Sequence, residues 1–167
     1  MTGAARRIGG NDIDASIATL LRLNMGVVVA PAVIESLKCN LASALGSTAG
    51  LVEIVPARTV DRGRLVDVEV TAELVNAAVR EVLVPTMRMV QECLSDTPPD
   101  LSQDVSARGI TLVGGSANIS DVDELVASSS GVQVTVAEHA DLVVINGLAA
   151  CLEEMSSLHA LFRSAER

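Results

Sequence analysis

Apolar side chains recur along this chain in blocks whose spacing switches from helical to alternating and back. Ile13, Ile17, Leu20 and Leu21 fall at helical intervals after Gly9-Gly10-Asn11-Asp12, where Asn11 or Asp12 can cap a helix. That helix should end over Asn24 to Gly26. Pro31 can open a second at the first-turn position, where its missing N–H costs nothing, and this one should run to about Leu45 before Gly46. Leu51, Val52, Ile54 and Val55 predict a strand, and Val66, Val68 and Val70 alternating with Asp67 and Glu69 predict another. Pro56 to Gly63 between them reads as an exposed hairpin connection. Thr71 caps a long helix striped by Leu74, Val75, Ala78, Val79 and Val82, which Pro85 must kink or divide.

Thr97-Pro98-Pro99-Asp100 is a firm break. Beyond it Ile110 to Val113 predicts a buried strand, Gly114-Gly115 a tight turn, and Val122 to Val126 a helix. Val132 to Val136 then predicts a strand, and the segment from about Asp141 to Leu161 a last helix. A closing order of strand, helix, strand, helix implies a parallel pair with helices packed on the sheet.

Composition narrows the function classes. Phe162 is the only aromatic among 167 residues, so the core must be aliphatic and the chain lacks stacking platforms for nucleic-acid bases. A formal charge of −9 opposes binding to a phosphate backbone, so no nucleic-acid partner is expected. No apolar run approaches the roughly 18–20 residues of a spanning helix, and no export signal follows Arg6 and Arg7, so direct membrane insertion is not expected. Cys39, Cys93 and Cys151 are widely spaced, as free thiols in a reducing cytosol would be. His139 and His159 stand alone, without metal-ligand spacing.

Two local patterns carry possible chemistry. Gly114-Gly115 after a buried strand lets a ligand approach the backbone closely, and Ser116 adds a hydroxyl; the same residues also suit a plain strand-to-helix turn. A β-branched residue at Gly115 would fill the ligand's space and resist the turn's backbone angle. Glu35 and Lys38 share a helix face, where Lys38 can lay its stem along a flat ring and Glu35 can accept from hydroxyls. Taken alone, that pair reads better as a surface ion pair.

The ordered set says more than either pattern. Arg7-Ile8-Gly9-Gly10-Asn11-Asp12-Ile13-Asp14, Glu35-Ser36-Leu37-Lys38, Thr97-Pro98-Pro99-Asp100-Leu101 leading through Arg108-Gly109-Ile110 to Leu112-Val113-Gly114-Gly115-Ser116, and Gly131 to Glu138 followed by Gly147 appear in sequence. Together, over roughly Arg6 to Glu154, they resemble the second half of MreB-type bacterial actin-like proteins. Asn11 stands where that family usually has Asp, Ser116 where a third Gly is usual, and Asn146 near a common Arg.

The resemblance implies an α/β fold: an actin-like, ribonuclease H-like half-molecule with a truncated sheet, flanking helices and a small α+β lobe. Residues 1–23 and 72–167 would form the sheet-and-helix lobe, and 24–71 the small helix-plus-hairpin lobe. It implies that Glu35, Ser36, Leu37, Lys38, Gly114, Gly115, Ser116 and Ala117 bind ATP or ADP weakly, from the adenosine side. The family's phosphate loops and water-positioning acid belong to segments this sequence does not contain. No ATP hydrolysis by this chain alone and no stable Mg²⁺ site are therefore expected. The implied role is as a component of a cytoplasmic, bacterial actin-like cytoskeleton that determines cell shape. Implied partners are other copies, a full-length actin-like protein or a RodZ-type adaptor. The alternatives are a non-enzymatic interaction module that regulates such a filament, and a gene remnant without separate function. Loss of neighbouring strands would leave the Ile110–Val113 strand with an exposed edge that favours association.

Overall fold

The computed structural model describes residues 3–153. Helix α1, Gly10–Met25, is closed at its start by Asp12, whose Oδ2 accepts from Gly9 N at 2.7 Å, so the carboxylate acts from inside the first turn rather than as the cap itself. Gly26, at φ 64°, terminates it in the left-handed conformation. Strand β1, Val27–Val29, follows; its three valines gave too short a run for the sequence to predict. Helix α2, Pro31–Leu41, stops four residues short of the expected end. Residues 42–45 leave the helix because they bond to a distant segment instead: Ala44 N donates to Ser120 O at 2.8 Å.

Strands β2, Val52–Thr59, and β3, Leu65–Thr71, pair antiparallel, and β1 joins the other side of β2 to give the order β1-β2-β3. The expected hairpin connection shrinks to the turn after Thr59, because Pro56, Ala57 and Arg58 are strand residues. Proline is unusual inside a sheet. Here Thr59 N donates toward β3, to Arg64 O at 2.9 Å, and Val60 N toward β1, to Gly26 O at 2.8 Å. The alternation puts Pro56 on the β1 side, where β1 ends opposite Ala57, so no ladder bond is lost.

Helix α3, Ala72–Ser95, runs through Pro85 as one element. Its face of Val75, Ala78 and Val79 packs with Ile13, Ile17 and Leu21 of α1, with Ile34 and Leu37 of α2, and with Val55, Ala57 and Val70 of the sheet. This is the aliphatic core the composition called for. Helix α4, Pro99–Arg108, was hidden from the sequence by Pro98-Pro99: the pair does end α3, but Pro99 also opens α4, which buries no residue and so shows no stripe. Strands β4, Ile110–Leu112, and β5, Val134–Val136, form the expected parallel pair, joined by helix α5, Val122–Ser130. β4 is half-exposed rather than buried, and among the described residues it pairs only with β5. A Cβ at Gly109 would lie 2.6 Å from Gln133 O, so only glycine lets α4 turn into β4 this close to the lead-in of β5. Helix α6, Val143–Glu153, falls within the helix expected from about Asp141 to Leu161; the rest of that expected segment, with His159, lies outside the described residues.

Among the described residues two polar side chains are buried, Ser43 and Asn76, and the second bonds to the backbone of the first. Asn76 of α3 is 2 % exposed; its Oδ1 accepts from Ser43 N at 2.7 Å and its Nδ2 donates to Thr48 Oγ1 at 3.0 Å. Asn76→Ala should lower unfolding free energy by about 1–3 kcal/mol, because a buried N–H loses its acceptor. Urea denaturation measures this, and an unchanged midpoint would show the bond to be dispensable.

Candidate functional site

Leu37 is fully buried in the core, and the helical turn that buries it carries Lys38 and Glu35 toward α1. The Lys38 ammonium donates to Glu35 Oε2 at 2.7 Å, Asp14 Oδ2 at 3.1 Å and Gly10 O at 3.4 Å. An ammonium has three protons, so all three are engaged. Asp14 Oδ1 also lies 2.9 Å from Nζ but makes no hydrogen bond of good geometry, leaving a buried oxygen served by charge alone.

Facing this cluster is the turn after β4. Gly114 takes φ 90°, and Gly115 to Asn118 form a single 3-10 turn. Gly115 is not left-handed, and a Cβ there would meet nothing within 4 Å, so the conformational demand expected at Gly115 falls on Gly114 instead. Helix α5 begins at Val122, where the sequence placed it, beyond the 3-10 turn, so its positive end is not at the glycines. Between the walls lies a cleft of about 340 Å³. Glu35, Lys38, Cys39 and Ala42 line one side, and Gly115, Ser116, Asn118 and Ile119 the other. Gly10 forms the floor: a Cβ there would stand 3.2 Å from Lys38 Nζ and 4.0 Å from Ser116 Oγ.

Of the residues expected to bind a ligand, the fold brings Glu35, Lys38, Gly115 and Ser116 around this cleft, while Gly114 shapes the turn. Ser36 is exposed and its hydroxyl accepts from Asn40 Nδ2 at 3.4 Å. Leu37 and Ala117 are buried, so they support the walls rather than line them. The sequence did not assign Gly10, Asp14, Cys39, Ala42, Asn118 or Ile119 to the site. Gly10 and Asp14 did stand in the first recognised motif, and only the packing of α1 on α2 makes that motif part of the site.

The family model for MreB/Mbl proteins matches residues 1–160. The chain belongs to the MreB/Mbl family. It is 31% identical over 154 residues to the cell shape-determining protein MreB of Escherichia coli (strain K12), covering 92% of this chain and 44% of that protein. It is 25% identical over 158 residues to the cell shape-determining protein Mbl of Bacillus subtilis (strain 168), covering 95% and 47%. The chain thus spans about half the length of the relatives it matches. Among solved structures, MreB 5 of Spiroplasma citri bound to AMPPNP superposes with TM-score 0.87 at 19% identity, over 96% of this chain and 48% of that one. The MamK double helical filament superposes with TM-score 0.63 at 18% identity, over 79% and 41%. These likenesses show the fold, an actin-like half-molecule with two small sheets and flanking helices.

The electrostatics of this MreB/Mbl cleft are nearly self-contained. The Lys38 hydrogen bond holds the Glu35 carboxyl below the usual carboxylate range. For Lys38, burial opposes the charge most strongly, but the bonds to Glu35 and Asp14 outweigh it and raise the pKa above the ordinary lysine value. Burial, then Glu35, raises the Cys39 thiol, which is a poor nucleophile in this state. Among the described residues no cluster of three or more His, Cys, Asp or Glu side chains could hold a metal ion, and no helix is long and apolar enough to cross a membrane.

The signs of the shifts set a pH window. Glu35, depressed in the folded state, stabilises above its unfolded pKa and loses that contribution as pH falls through its folded value. Lys38, raised, stabilises below its unfolded pKa and loses that contribution as pH rises through its folded value. The stability difference between the parent and Lys38→Met should therefore be widest at neutral pH and shrink at both acidic and strongly alkaline pH. Thermal melts across pH would show it, and a flat difference would mean that the cluster is solvated in both states.

Proposed function

We propose that this MreB/Mbl chain contributes the adenosine-side wall of a nucleotide cleft within a bacterial actin-like cytoskeleton that determines cell shape, and that it does not hydrolyse ATP alone. One observation carries the reading: Glu35 and Lys38 of α2 face Gly115 and Ser116 across a cleft within the usual small-ligand size range. The relatives are named cell shape-determining proteins, and solved structures of MreB 5 hold AMPPNP and ADP.

The donor set favours a nucleoside over a phosphate. Glu35 can accept from ribose hydroxyls, Ser116 can donate or accept, and the Lys38 stem offers apolar surface to a purine face. Among the described residues Lys38 is the only cation lining the cleft, and both Glu35 and Asp14 already pair with it. A bound nucleotide would bring the phosphate chemistry; among the described residues the one carboxylate lining the cleft, Glu35, is already paired with Lys38 and is poorly placed to position Mg²⁺ or an attacking water. A two-lobe division at 24–71, with the small lobe carrying Glu35 and Lys38, would make the cleft a junction between lobes.

A second reading, a non-enzymatic assembly module, is favoured by the one-sided pairing of β4. On that reading the chain associates with its own copies or with a full-length actin-like protein; a RodZ-type adaptor is a further partner consistent with the family.

ATP, ADP and AMP should bind with similar affinity, high micromolar or weaker, which is roughly 4–6 kcal/mol. Lys38→Ala should cost about 1 kcal/mol, and Gly115→Val should abolish binding by filling the cleft from its open wall. Calorimetry with the three nucleotides tests this; a hundredfold preference for ATP would mean that unidentified residues hold the phosphates. Phosphate release should not exceed buffer, and steady release lost in Lys38→Ala would overturn that expectation. Light scattering after size exclusion should show dimers or small oligomers, and monomer alone at high concentration would remove the edge argument.

A further inference from the structure

The cleft's two walls come from segments far apart in the chain, and one compact polar knot ties them together. Where α2 ends, Ser43 is completely buried, and its hydroxyl donates to Asp121 Oδ2 across 78 positions of sequence. The same Ser43 Oγ accepts from Gly46 N at 2.6 Å and Ser47 N at 2.9 Å, and Ser47 N also reaches Asp121 Oδ2 at 3.2 Å. Beside it, Ser43 and Ser120 form an isolated parallel bridge, with Ala44 N donating to Ser120 O at 2.8 Å. On its other side the knot is anchored to α3, since Ser43 N donates to Asn76 Oδ1 at 2.7 Å. Its immediate neighbours in sequence, Ala42 and Ile119, both line the cleft, one on each wall.

Asp121 is held by these contacts in a backbone conformation uncommon outside glycine. Its φ is 62°, in the left-handed region that favours glycine, and among the described residues only His139 shares this feature outside the glycines. The Ser43 hydrogen bond, then those of Ser47, keep its carboxyl below the usual aspartate range, so it is ionised and accepts throughout the physiological range. A fully buried hydroxyl, a carboxylate and two backbone amides thus converge where a simple apolar contact would have joined the segments equally well.

We propose that the Ser43–Asp121 contact is a clasp that sets the spacing between the two cleft walls, and that Asp121 and Ser43 are positioning residues determining how wide a base the cleft admits. The second clause rests on the nucleotide reading above; the first does not. The clasp fixes the end of α2 relative to the 3-10 turn, and so fixes Lys38 relative to Ser116. Opening it leaves the core intact, because Asn76 still holds Ser43 to α3. The walls, left with the Ala44–Ser120 bridge alone, then part further, and the cleft loses its discrimination between adenosine and an adenosine enlarged on its exocyclic amine.

The variant of choice is Asp121→Gly, which removes the carboxylate while placing at φ 62° the residue most at ease there, so folding is preserved. Asp121→Asn, which keeps the shape and a neutral acceptor, serves as the intermediate case. The first measurement needs no nucleotide. In a C93S, C151S background carrying Asn118→Cys, native Cys39 and the thiol at position 118 are cross-linked with bismaleimides of graded length at alkaline pH, where enough of the Cys39 thiol is ionised to react. The parent should favour the shortest spanning reagent, and Asp121→Gly should shift the preference to longer ones and slow the shortest roughly tenfold, the effect of losing one charge-assisted hydrogen bond. An unchanged length preference in a cooperatively melting Asp121→Gly chain overturns the clasp. The second measurement titrates adenosine and N6-benzyladenosine into the chain with its native cysteines. A narrowed affinity ratio in Asp121→Gly supports the positioning role, and equal losses for both ligands refute it. If the parent binds neither nucleoside, the positioning role falls with the nucleotide reading, while the cross-linking result still decides the clasp.

Discussion

Burial of Leu37 decides which way Lys38 points. The two are neighbours on α2, and once the core of α1, α3 and the sheet takes the leucine, the helical rotation leaves the lysine facing α1 and the cleft. Everything polar about the site follows from that orientation. The ammonium lands beside Asp14 and over the bare backbone of Gly10, and Glu35, three residues earlier on the same face, completes its coordination. A chain with a single aromatic residue achieves this with valine, leucine, isoleucine and alanine alone, because the helices cover a β-branched sheet closely enough to leave no need for large rings.

The charge balance of the cleft differs from that of a phosphate-binding loop. Phosphate loops gather amides and spare cations, whereas here one cation is shared by two carboxylates in a chain of formal charge −9. A polyanion approaching this wall meets no unpaired positive charge among the lining residues. That balance is what the nucleoside reading proposed above rests on.

The sequence revealed those parts of the fold that carry a periodic stripe or a glycine at a forced angle. The stripes of α1 and α3, the alternation in β3 and the parallel strand pair were legible because burial on one face leaves a period in the residues. α4 was not, since it buries nothing, and β1 was too short to show a pattern. Pro56 misled because its tolerance depends on how far the neighbouring strand extends, which is a tertiary fact. At the site, Glu35, Lys38, Gly115 and Ser116 could be named from ordered motifs. Asp14 could not be assigned, because nothing in the sequence states that α1 crosses α2 at that turn. Asn76 and Asp121 were equally invisible: their roles lie in hydrogen bonds to residues 33 and 78 positions away.

Pro56 has a consequence for how the three-stranded sheet meets other molecules. Past Val29, β2 lies open on the side that β1 leaves uncovered, next to the outward-facing Ile54 and Val52, which are apolar and exposed. Such a stretch would ordinarily recruit a strand from another chain. The first position available to an incoming strand is the proline, which has no proton to give, so a stranger's ladder would begin with a missing rung. The stretch of β2 beyond β1 is thereby blunted by a covalent feature rather than by charge. β3, with Asp67 and Glu69 on its outer face, is protected by repulsion instead, and two unlike defences guard opposite borders of one small sheet.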